Sequence, residues 1–418
     1  MKIAVLGTTL QAVVMSAILS ESGHSVEWYP YQDDFDIDIL NLDNNLKKKL
    51  IDQQFKRNLK IIGGKKINYN FEVYLFAFLP SNLAIALSLA ANIKDNSLIK
   101  VKLMINSSTF GLYGTYKLKE ILPSDHWVYL PDMTQDGRSV ESIVHASSIV
   151  IGIEDEQNSK AQIQEFLRPY FPRKEQFIFM PILDAEFTKL SITGMLATRI
   201  SYINDLAIVA EKLGIDIESV RQGMSADSRI GESYLYPGAG FGGENFSHDI
   251  QTLTHTVSGA GANSQLLTQV WEINEEQKEI LFRKLWNYFH GELNGKTVAI
   301  WGAAFKEKTS STKQSPIHAM LAALWAQGVK VKLHDPQALD EIKKIYGERP
   351  DLIYCTEQYE AVQDAHALCL LTAWKQYWSP SYTELLKTMH HPLILDGRNI
   401  YDPAYVKSQG FAYMGVGR

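Results

Sequence analysis

The chain carries the same opening pattern twice, and this pattern restricts the possible folds more than any other feature. Residues 3–6 form a short apolar run closed by Gly7, residues 10–19 are apolar on most faces, and residues 23–29 form a turn and a second short run. Residues 296–302 repeat the apolar run closed by glycine. A strand, a buried helix and a second strand form a βαβ unit, which joins parallel strands. The pattern therefore favours parallel sheets that are covered by helices on both faces.

Further strand and helix signals continue this alternation. Ser315 and Pro316 are typical of a helix start, and that helix is predicted to end at about Ala326. The other predicted strands are residues 73–79, 103–105, 149–153, 329–334 and 367–371, and a further predicted helix covers residues 83–91. Each half of the chain is thus predicted to be an α/β domain of the Rossmann-like type.

The middle of the chain is predicted to be helical. Residues 184–213 place apolar side chains at three- and four-residue steps, which predicts a helix of about 30 residues. A second helical stretch is expected over residues 264–289. The predicted fold class is α/β, with two Rossmann-like domains with parallel sheets joined by a long central helix. The predicted domains are residues 1–183, 184–292 and 293–418.

Composition excludes several classes of protein. The 418 residues are 45% hydrophobic and 21% charged, which excludes a disordered, collagen-like or disulfide-based chain. The 41 Lys and Arg against 47 Asp and Glu give a net charge of -6, so no nucleic-acid partner is expected. We find no signal peptide and no apolar run long enough to span a membrane, and we therefore expect a cytoplasmic protein without a membrane partner. Both cysteines, Cys355 and Cys369, lie in the last 64 residues, so residues 1–354 contain no thiol.

The first apolar run is followed by a degenerate dinucleotide fingerprint. The pattern GxGxxG supplies one glycine for the turn, one for backbone contact with the pyrophosphate and one for helix packing. Residues 7–12 retain only Gly7, and the Thr9 side chain is expected to stand where the pyrophosphate meets backbone. Residues 28–31, Trp-Tyr-Pro-Tyr, stand where an acidic residue should hold the ribose. The helix N-terminus could still favour an anion, but NAD binding in the usual manner is doubtful.

A second glycine-rich segment, residues 238–243, satisfies GxGxxG only as a bare pattern, because no strand precedes it and Pro237 does. A loop that lies against a ligand and a tight structural turn both remain open. Three consecutive residues such as Ser247, His248 and Asp249 cannot converge as a hydrolase triad. The 11 histidines show no ligand spacing, so no metal site is predicted.

A set of motifs makes the comparison with one family specific. They are residues 187–190, 197–200, Asn204, 227–231, 237–243 with Asp249, 302–306, 396–399 and 415–418. In order, spacing and length, over almost the whole chain, they resemble the UDP-glucose/GDP-mannose dehydrogenase family. The resemblance implies two Rossmann-like domains, with a homodimer formed through the central helices. It also implies oxidation of the C6 hydroxyl of a nucleotide sugar to a carboxylate by two NAD, as in polysaccharide biosynthesis.

The family chemistry requires a thiol, because the aldehyde between the two hydride transfers is held as a thiohemiacetal. The family motif is GFGGxCFxKD, whereas residues 240–249 read Gly-Phe-Gly-Gly-Glu-Asn-Phe-Ser-His-Asp. Asn245 therefore stands at the cysteine position, and a carboxamide cannot form a thioester. Lys189 and Asp249 match the family's catalytic groups.

Other family positions are changed as well. Thr193 replaces the asparagine of the KxxxN helix, and Asp132 and Asp136 replace the two glutamates of PEFLxEG. Lys313 replaces an arginine beside the cofactor, which keeps the charge but loses bidentate phosphate binding. By resemblance, Gly7, Thr109 and Lys313 are the candidate NAD contacts.

The candidate nucleotide-sugar contacts match the family better. They are Arg229 (reaching the neighbouring subunit), Tyr234, Gly238, Gly240, Phe241, Gly242, Gly243, Phe305, Lys306 and Arg398. Taken singly, Lys189 and Arg229 could be solvated charges and Phe305 could be core. Two hypotheses follow from the whole pattern. The first is a diverged or inactive homologue that binds a UDP-sugar-like ligand without four-electron oxidation. The second is an NAD(P)-dependent two-electron enzyme that uses Lys189, Asp249 and Asp132.

Overall fold

A computed structural model describes residues 1–31, 42, 44–64, 67–124, 126–135, 137–154, 158–262 and 264–418, without the side chains of Asn44 and Asn158. Asp136, predicted as a shortened family glutamate, lies outside these residues. The chain divides into two compact units, Met1–Ile192 and Thr193–Arg418. The division into three domains at 183 and 292 stays a prediction.

The first unit is built around one eight-stranded sheet. Its strand order is β3-β2-β1-β4-β5-β6-β7-β8, and every pair is parallel except β6 with β7. The elements are β1 (Lys2–Leu6), α1 (Leu10–Glu21), β2 (Ser25–Tyr29), α2 (Asn44–Phe55), β3 (Leu59–Ile61), β4 (Val73–Phe76), α3 (Leu83–Asn96), β5 (Leu103–Asn106), α4 (Gly114–Ile121), β6 (Trp127–Tyr129), α5 (Glu141–Val144), β7 (Ile149–Ile153), α6 (Asn158–Leu167) and β8 (Phe177–Met180). Apolar clusters cover both faces of this sheet, as the uninterrupted apolar runs predicted.

One helix, α7 (Ile182–Leu213), belongs to both units and has 32 residues, which confirms the predicted long helix. The second unit contains a six-stranded, all-parallel sheet in the order β11-β10-β9-β12-β13-β14. Its elements are α8 (Ile217–Ala226), α9 (Glu244–Gly259), α10 (Gln265–Lys278), α11 (Ile280–Tyr288), β9 (Thr297–Trp301), α12 (Pro316–Ala326), β10 (Lys330–His334), α13 (Leu339–Tyr346), β11 (Leu352–Tyr354), α14 (Gln358–Val362), β12 (Ala367–Leu370), α15 (Tyr382–Thr388), β13 (Leu393–Asp396), α16 (Pro403–Ser408) and β14 (Ala412–Met414).

The two sheets share one topology, since the first six strands of each follow the order 3-2-1-4-5-6. The glycine that ends the first strand has the same role in both. Gly7 has φ +117°, and a Cβ there would lie 2.1 Å from the Ala77 carbonyl oxygen, just after β4. Gly302 has φ +99°, and its Cβ would lie 2.4 Å from the Thr372 Cβ, just after β12. Both glycines let the chain pass close to the neighbouring strand where the strand order reverses.

The helix predicted over residues 264–289 is divided in the structure. Glu279 separates α10 from α11, and its amide donates to the carbonyl of Glu276, three residues back. Three other predictions are confirmed at residue level: β7 covers residues 149–153, Ser315 caps α12, and Pro316 begins it. In the part of the chain that the structure describes, no helix is both long and apolar enough to span a bilayer.

Candidate functional site

In the first unit, the turn after β1 is closed by Thr9. The Thr9 hydroxyl donates to the Ala77 carbonyl at 3.0 Å and accepts from the Ala12 amide at 3.2 Å, which makes Thr9 the N-cap of α1. Thr9 is buried, so its hydroxyl is directed into the protein. The cap occupies one of the α1 amides that could otherwise receive a phosphate.

The end of β2 carries aromatic side chains where a dinucleotide site has a carboxylate. The Trp28 indole donates to the Gly7 carbonyl at 2.8 Å, and the buried Tyr29 hydroxyl donates to Glu27 at 2.6 Å. Burial, followed by the hydrogen bond to Glu27, raises the pKa of Tyr29. Tyr29 therefore stays neutral and holds no ribose in the way a carboxylate does.

Thr109 lies half-buried in the loop that follows β5. A buried polar network supports this loop. The Asn106 side chain donates through Nδ2 to the Thr115 hydroxyl at 2.9 Å, and Glu186 accepts from the backbone amides of Thr115 at 2.8 Å and Tyr113 at 2.7 Å. Burial raises the pKa of Glu186, although these hydrogen bonds oppose the shift. Glu186 thus completes the N-terminal turn of α4 and fixes the loop.

Two buried polar atoms near these turns, Gln11 Oε1 and Ser107 Oγ, meet no hydrogen-bond partner among the described residues. They are consistent with a polar ligand at the carboxyl ends of the strands. However, the N-cap at Thr9 and the neutral Tyr29 do not fit an NAD bound in the usual manner. Among the same residues, no group of three or more His, Cys, Asp or Glu side chains is placed to hold a metal ion.

In the second unit, three side-chain carboxamides form hydrogen bonds with the backbone of the glycine-rich loop 238–243. Asn204 accepts from the Gly238 amide at 2.9 Å, and Gln277 donates to the Gly238 carbonyl at 2.9 Å. Asn274 accepts from the Phe241 amide at 2.7 Å and donates to the Phe241 carbonyl at 3.2 Å. The loop therefore has one fixed backbone conformation, although no strand leads into it.

The other side of this loop lies against Phe305. A Cβ at Gly242 would be 2.6 Å from the Gln314 carbonyl oxygen, and one at Gly243 would be 3.0 Å from the Phe305 ring. The two glycines are needed for this packing. The Lys306 ammonium lies 5.6 Å from the centre of the Phe305 ring. Lys313 forms an ion pair with Glu244, the first residue of α9.

Arg398 connects three backbone segments. Its guanidinium donates to the carbonyls of Leu371 at 2.5 Å, Phe305 at 3.3 Å and Gly240 at 3.4 Å. The buried Asp396 accepts from the Arg398 amide at 2.9 Å, and burial raises the pKa of Asp396. Arg398 thus positions the loops that contain Gly240 and Phe305.

The position predicted for the nucleophile lies at the start of α9. Asn245 is the second residue of this helix and is exposed. Asp249 follows one turn later, is buried, and accepts from the Thr193 hydroxyl at 3.0 Å. The structure therefore brings together two of the predicted catalytic residues, Asp249 and Thr193, with Asn245 on the same helix.

The two remaining catalytic candidates lie in the first unit. Lys189 is half-buried on α7, one turn before Thr193. Asp132 follows β6 and accepts from the Thr134 amide at 3.0 Å and from the Thr134 hydroxyl at 2.5 Å.

Arg229 and Tyr234 lie on an exposed segment between α8 and α9. The side chain of Arg229 is 88% exposed and pairs with Asp227, and the Tyr234 ring stacks on Phe246 at 6.4 Å. Arg199, which is not among the predicted site residues, donates to the carbonyls of residues 230, 231 and 233 at 2.9–3.0 Å. Arg199 therefore fixes the segment that presents Arg229.

Sequence reasoning also missed Asp335, which follows β10. Its carboxylate accepts from the amides of Ala303 and Ala304 at 2.7 and 3.0 Å, and from the Trp374 indole at 3.1 Å. These amides belong to the turn after β9, where a dinucleotide-binding sheet would hold pyrophosphate. Each of the missed residues carries a sequence signal. Asp335 directly follows β10, at the second-strand position where a dinucleotide-binding fold has an acidic residue. Asn274 and Gln277 are polar residues in the buried stripe of α10 that includes Val270.

Comparison with known proteins identifies the family of the chain. Residues 183–276 match the model of the UDP-glucose/GDP-mannose dehydrogenase family, central domain, and residues 299–403 match its UDP binding domain. The chain is 36% identical over 294 residues to the UDP-glucose 6-dehydrogenase of Pseudomonas aeruginosa, a match that covers 69% of this chain and 64% of that protein. It is 31% identical over 325 residues to UDP-glucose 6-dehydrogenase TuaD of Bacillus subtilis, covering 76% of this chain and 69% of that protein. The match thus spans just under two thirds of the Pseudomonas protein's length.

Solved structures with low sequence identity share the fold. A UDP-glucose dehydrogenase from Pyrobaculum islandicum has a TM-score of 0.84 at 21% identity, with 100% of this chain and 97% of that chain covered. A UDP-D-ManNAc dehydrogenase from Pyrococcus horikoshii has a TM-score of 0.82 at 19% identity, with 100% and 99% covered. Two parallel-sheet α/β domains with a long helix between them are the fold of this group.

Proposed function

Because the chain belongs to the UDP-glucose/GDP-mannose dehydrogenase family, we propose that it binds a nucleotide sugar of the UDP-glucose type without oxidising it from alcohol to acid. The observation that carries this proposal is Asn245, at the second position of α9. A thiol at a helix N-terminus has a lowered pKa and is a good nucleophile, whereas a carboxamide has no thiolate form.

Neither thiol of the chain can take over this task. Cys369 lies within β12 and Cys355 just after β11, and both are buried. Burial raises the pKa of Cys355 to about 11 and raises that of Cys369 as well. Both sulfurs therefore stay protonated near neutral pH and unreactive.

The residues proposed to bind the nucleotide sugar match the family's residue types more closely than the redox residues do. The backbone of loop 238–243 is rigid, and Lys306 and Arg398 lie at its edges. Cationic side chains of this kind suit a diphosphate and sugar hydroxyls. The exposed Arg229 suits a role in the neighbouring subunit's site.

We propose that this subunit is a second copy of the chain, bound along α7. Met195, Tyr202 and Val209 are 63%, 52% and 50% exposed and follow one another at seven-residue steps. This spacing places them on one stripe of the helix, as in a helix–helix interface. A homodimer would bury the stripe.

Calorimetric titration of the purified protein with UDP-glucose, UDP-GlcNAc and GDP-mannose tests the ligand, and NADH formation from UDP-glucose and NAD tests the reaction. We expect heat of binding for at least one nucleotide sugar and no NADH. Formation of two NADH per UDP-glucose would refute the loss of alcohol-to-acid oxidation, whereas one NADH per sugar would indicate a two-electron reaction. The lack of binding by all three sugars would refute the ligand.

A second candidate function is a two-electron reaction on the same ligand, since a single hydride transfer needs no thiol. The buried pair of Asp249 and Thr193 supports it. Titration with NAD and NADP tests this redox reaction, and the absence of affinity for both would remove it.

A further inference from the structure

Two buried carboxamides bracket Gly238 from different helices. Asn204 on α7 accepts from the Gly238 amide through Oδ1, and Gln277 on α10 donates to the Gly238 carbonyl through Nε2, each at 2.9 Å. Both side chains are only 1% exposed. The next amide, that of Ala239, donates to the Gly397 carbonyl at 2.9 Å. The start of the glycine-rich loop is therefore held from three directions.

The chemistry of Gly238 fixes the orientation of both carboxamides. Its amide can only donate and its carbonyl can only accept, so Asn204 must present oxygen and Gln277 must present nitrogen. The opposite ends of the two side chains, Asn204 Nδ2 and Gln277 Oε1, meet no hydrogen-bond partner among the described residues. One of these buried atoms is a donor and the other is an acceptor.

We propose that one internal water molecule binds both atoms, accepting from Asn204 Nδ2 and donating to Gln277 Oε1. The two carboxamides bond to the amide and to the carbonyl of one residue, and the proposal places their free ends within reach of the same water. Buried polar groups without protein partners are the usual site of internal water, which occurs about once per 27 residues and makes about three hydrogen bonds. A single water completes two groups whose desolvation would otherwise be uncompensated.

The water has a consequence for the proposed ligand site. It would connect α7 to α10 through the two carboxamides that bond to Gly238. Asn204 and Gln277 are therefore positioning residues for loop 238–243. This consequence rests on the proposed function, whereas the water itself does not.

The decisive experiment is a crystal structure of the unliganded wild-type protein at a resolution that shows ordered water. We expect a density peak about 2.7–3.2 Å from both Asn204 Nδ2 and Gln277 Oε1. Direct contact between the two carboxamides, or a dry cavity between them, would overturn the proposal. The result does not depend on ligand binding, so it stands apart from the proposed function.

The positioning role is tested by Gln277→Met, with Gln269→Met as a matched control, because Gln269 is exposed on the same helix and bonds to Glu272. We expect the dissociation constant for UDP-glucose to rise about tenfold in Gln277→Met, the effect of about one lost hydrogen bond, and not in the control. In crystals of Gln277→Met the water peak should disappear. Equal affinity in both variants would refute the positioning role.

Discussion

From the proposed function, we expect that replacing Asn245 by cysteine supplies a reactive thiol without giving dehydrogenase activity. The introduced thiol would be exposed at the second position of α9, where the helix N-terminus holds its pKa at or below about 8.5. At about pH 8 such a thiol is at least about one quarter ionised, whereas Cys355, with a pKa of about 11, is ionised in about one molecule per thousand. The thiolate population should therefore differ by about two hundredfold, and burial slows the native thiols further.

The assay is a thiol titration of the folded protein with a chromogenic disulfide. The variant should react with one equivalent in a rapid phase that is missing from the wild type and from Asn245→Ser. The same variant should form no NADH from UDP-glucose and NAD, because Thr9 still caps the Ala12 amide of α1 and Tyr29 still stands at the end of β2 in place of a carboxylate. Steady NADH production by this single variant would show that the first unit binds NAD productively, and it would refute the inference drawn from Thr9 and Tyr29.

Three further outcomes are expected. Gly7→Ala should lower the free energy of unfolding, measured with denaturant, by about 2–4 kcal/mol, because the new Cβ would collide with backbone at φ +117°. The control Gly259→Ala should change it little, since a Cβ there meets nothing within 4 Å. Burial lowers the pKa of His366 below 6.5, and its Nδ1 accepts from the Thr297 amide. As pH falls through about 6.5, the unfolded chain therefore binds this proton before the folded chain does, and the free energy of unfolding should fall. Between about pH 7.5 and 5.5, the urea midpoint of His366→Gln should change less than that of the wild type. Tyr202→Glu should give a monomer in light scattering where the wild type gives a dimer, and an unchanged mass would contradict the proposed interface.

The fold could be predicted wherever one local pattern decided the structure. Residues 3–6 and 298–301 are apolar on both faces and end in glycine, and they form the central strands β1 and β9. The apolar periodicity of α7 and the Ser315 cap of α12 were sufficient for the same reason. The break at Glu279 and the antiparallel pairing of β6 with β7 were not predicted, because neighbouring segments decide them.

The site was less predictable because its geometry depends on contacts distant in sequence. Gly238, Gly243, Asn204 and Phe305 could be selected by motif, but their contacts could not, because Asn204 and Gln277 lie 34 and 39 residues from Gly238 and Phe305 lies 62 residues from Gly243. The motif marks Thr9 as a departure but does not give the direction of its side chain. Its hydroxyl is directed inward, onto Ala77, rather than outward to a phosphate.

Asp335 gives the second sheet a property that its shared topology alone would not suggest. Its two carboxylate oxygens accept five hydrogen bonds, from Ala303, Ala304, Trp374, Gln337 and Ala338. The amides of the turn after β9 could bind an anion, but they already donate to the Asp335 carboxylate of the same chain. As an intramolecular group, this carboxylate has an effective concentration that no free phosphate reaches. Of two sheets with one strand order, the second is closed to pyrophosphate at its first turn, so the proposed nucleotide sugar would have to be bound by the loops beside it.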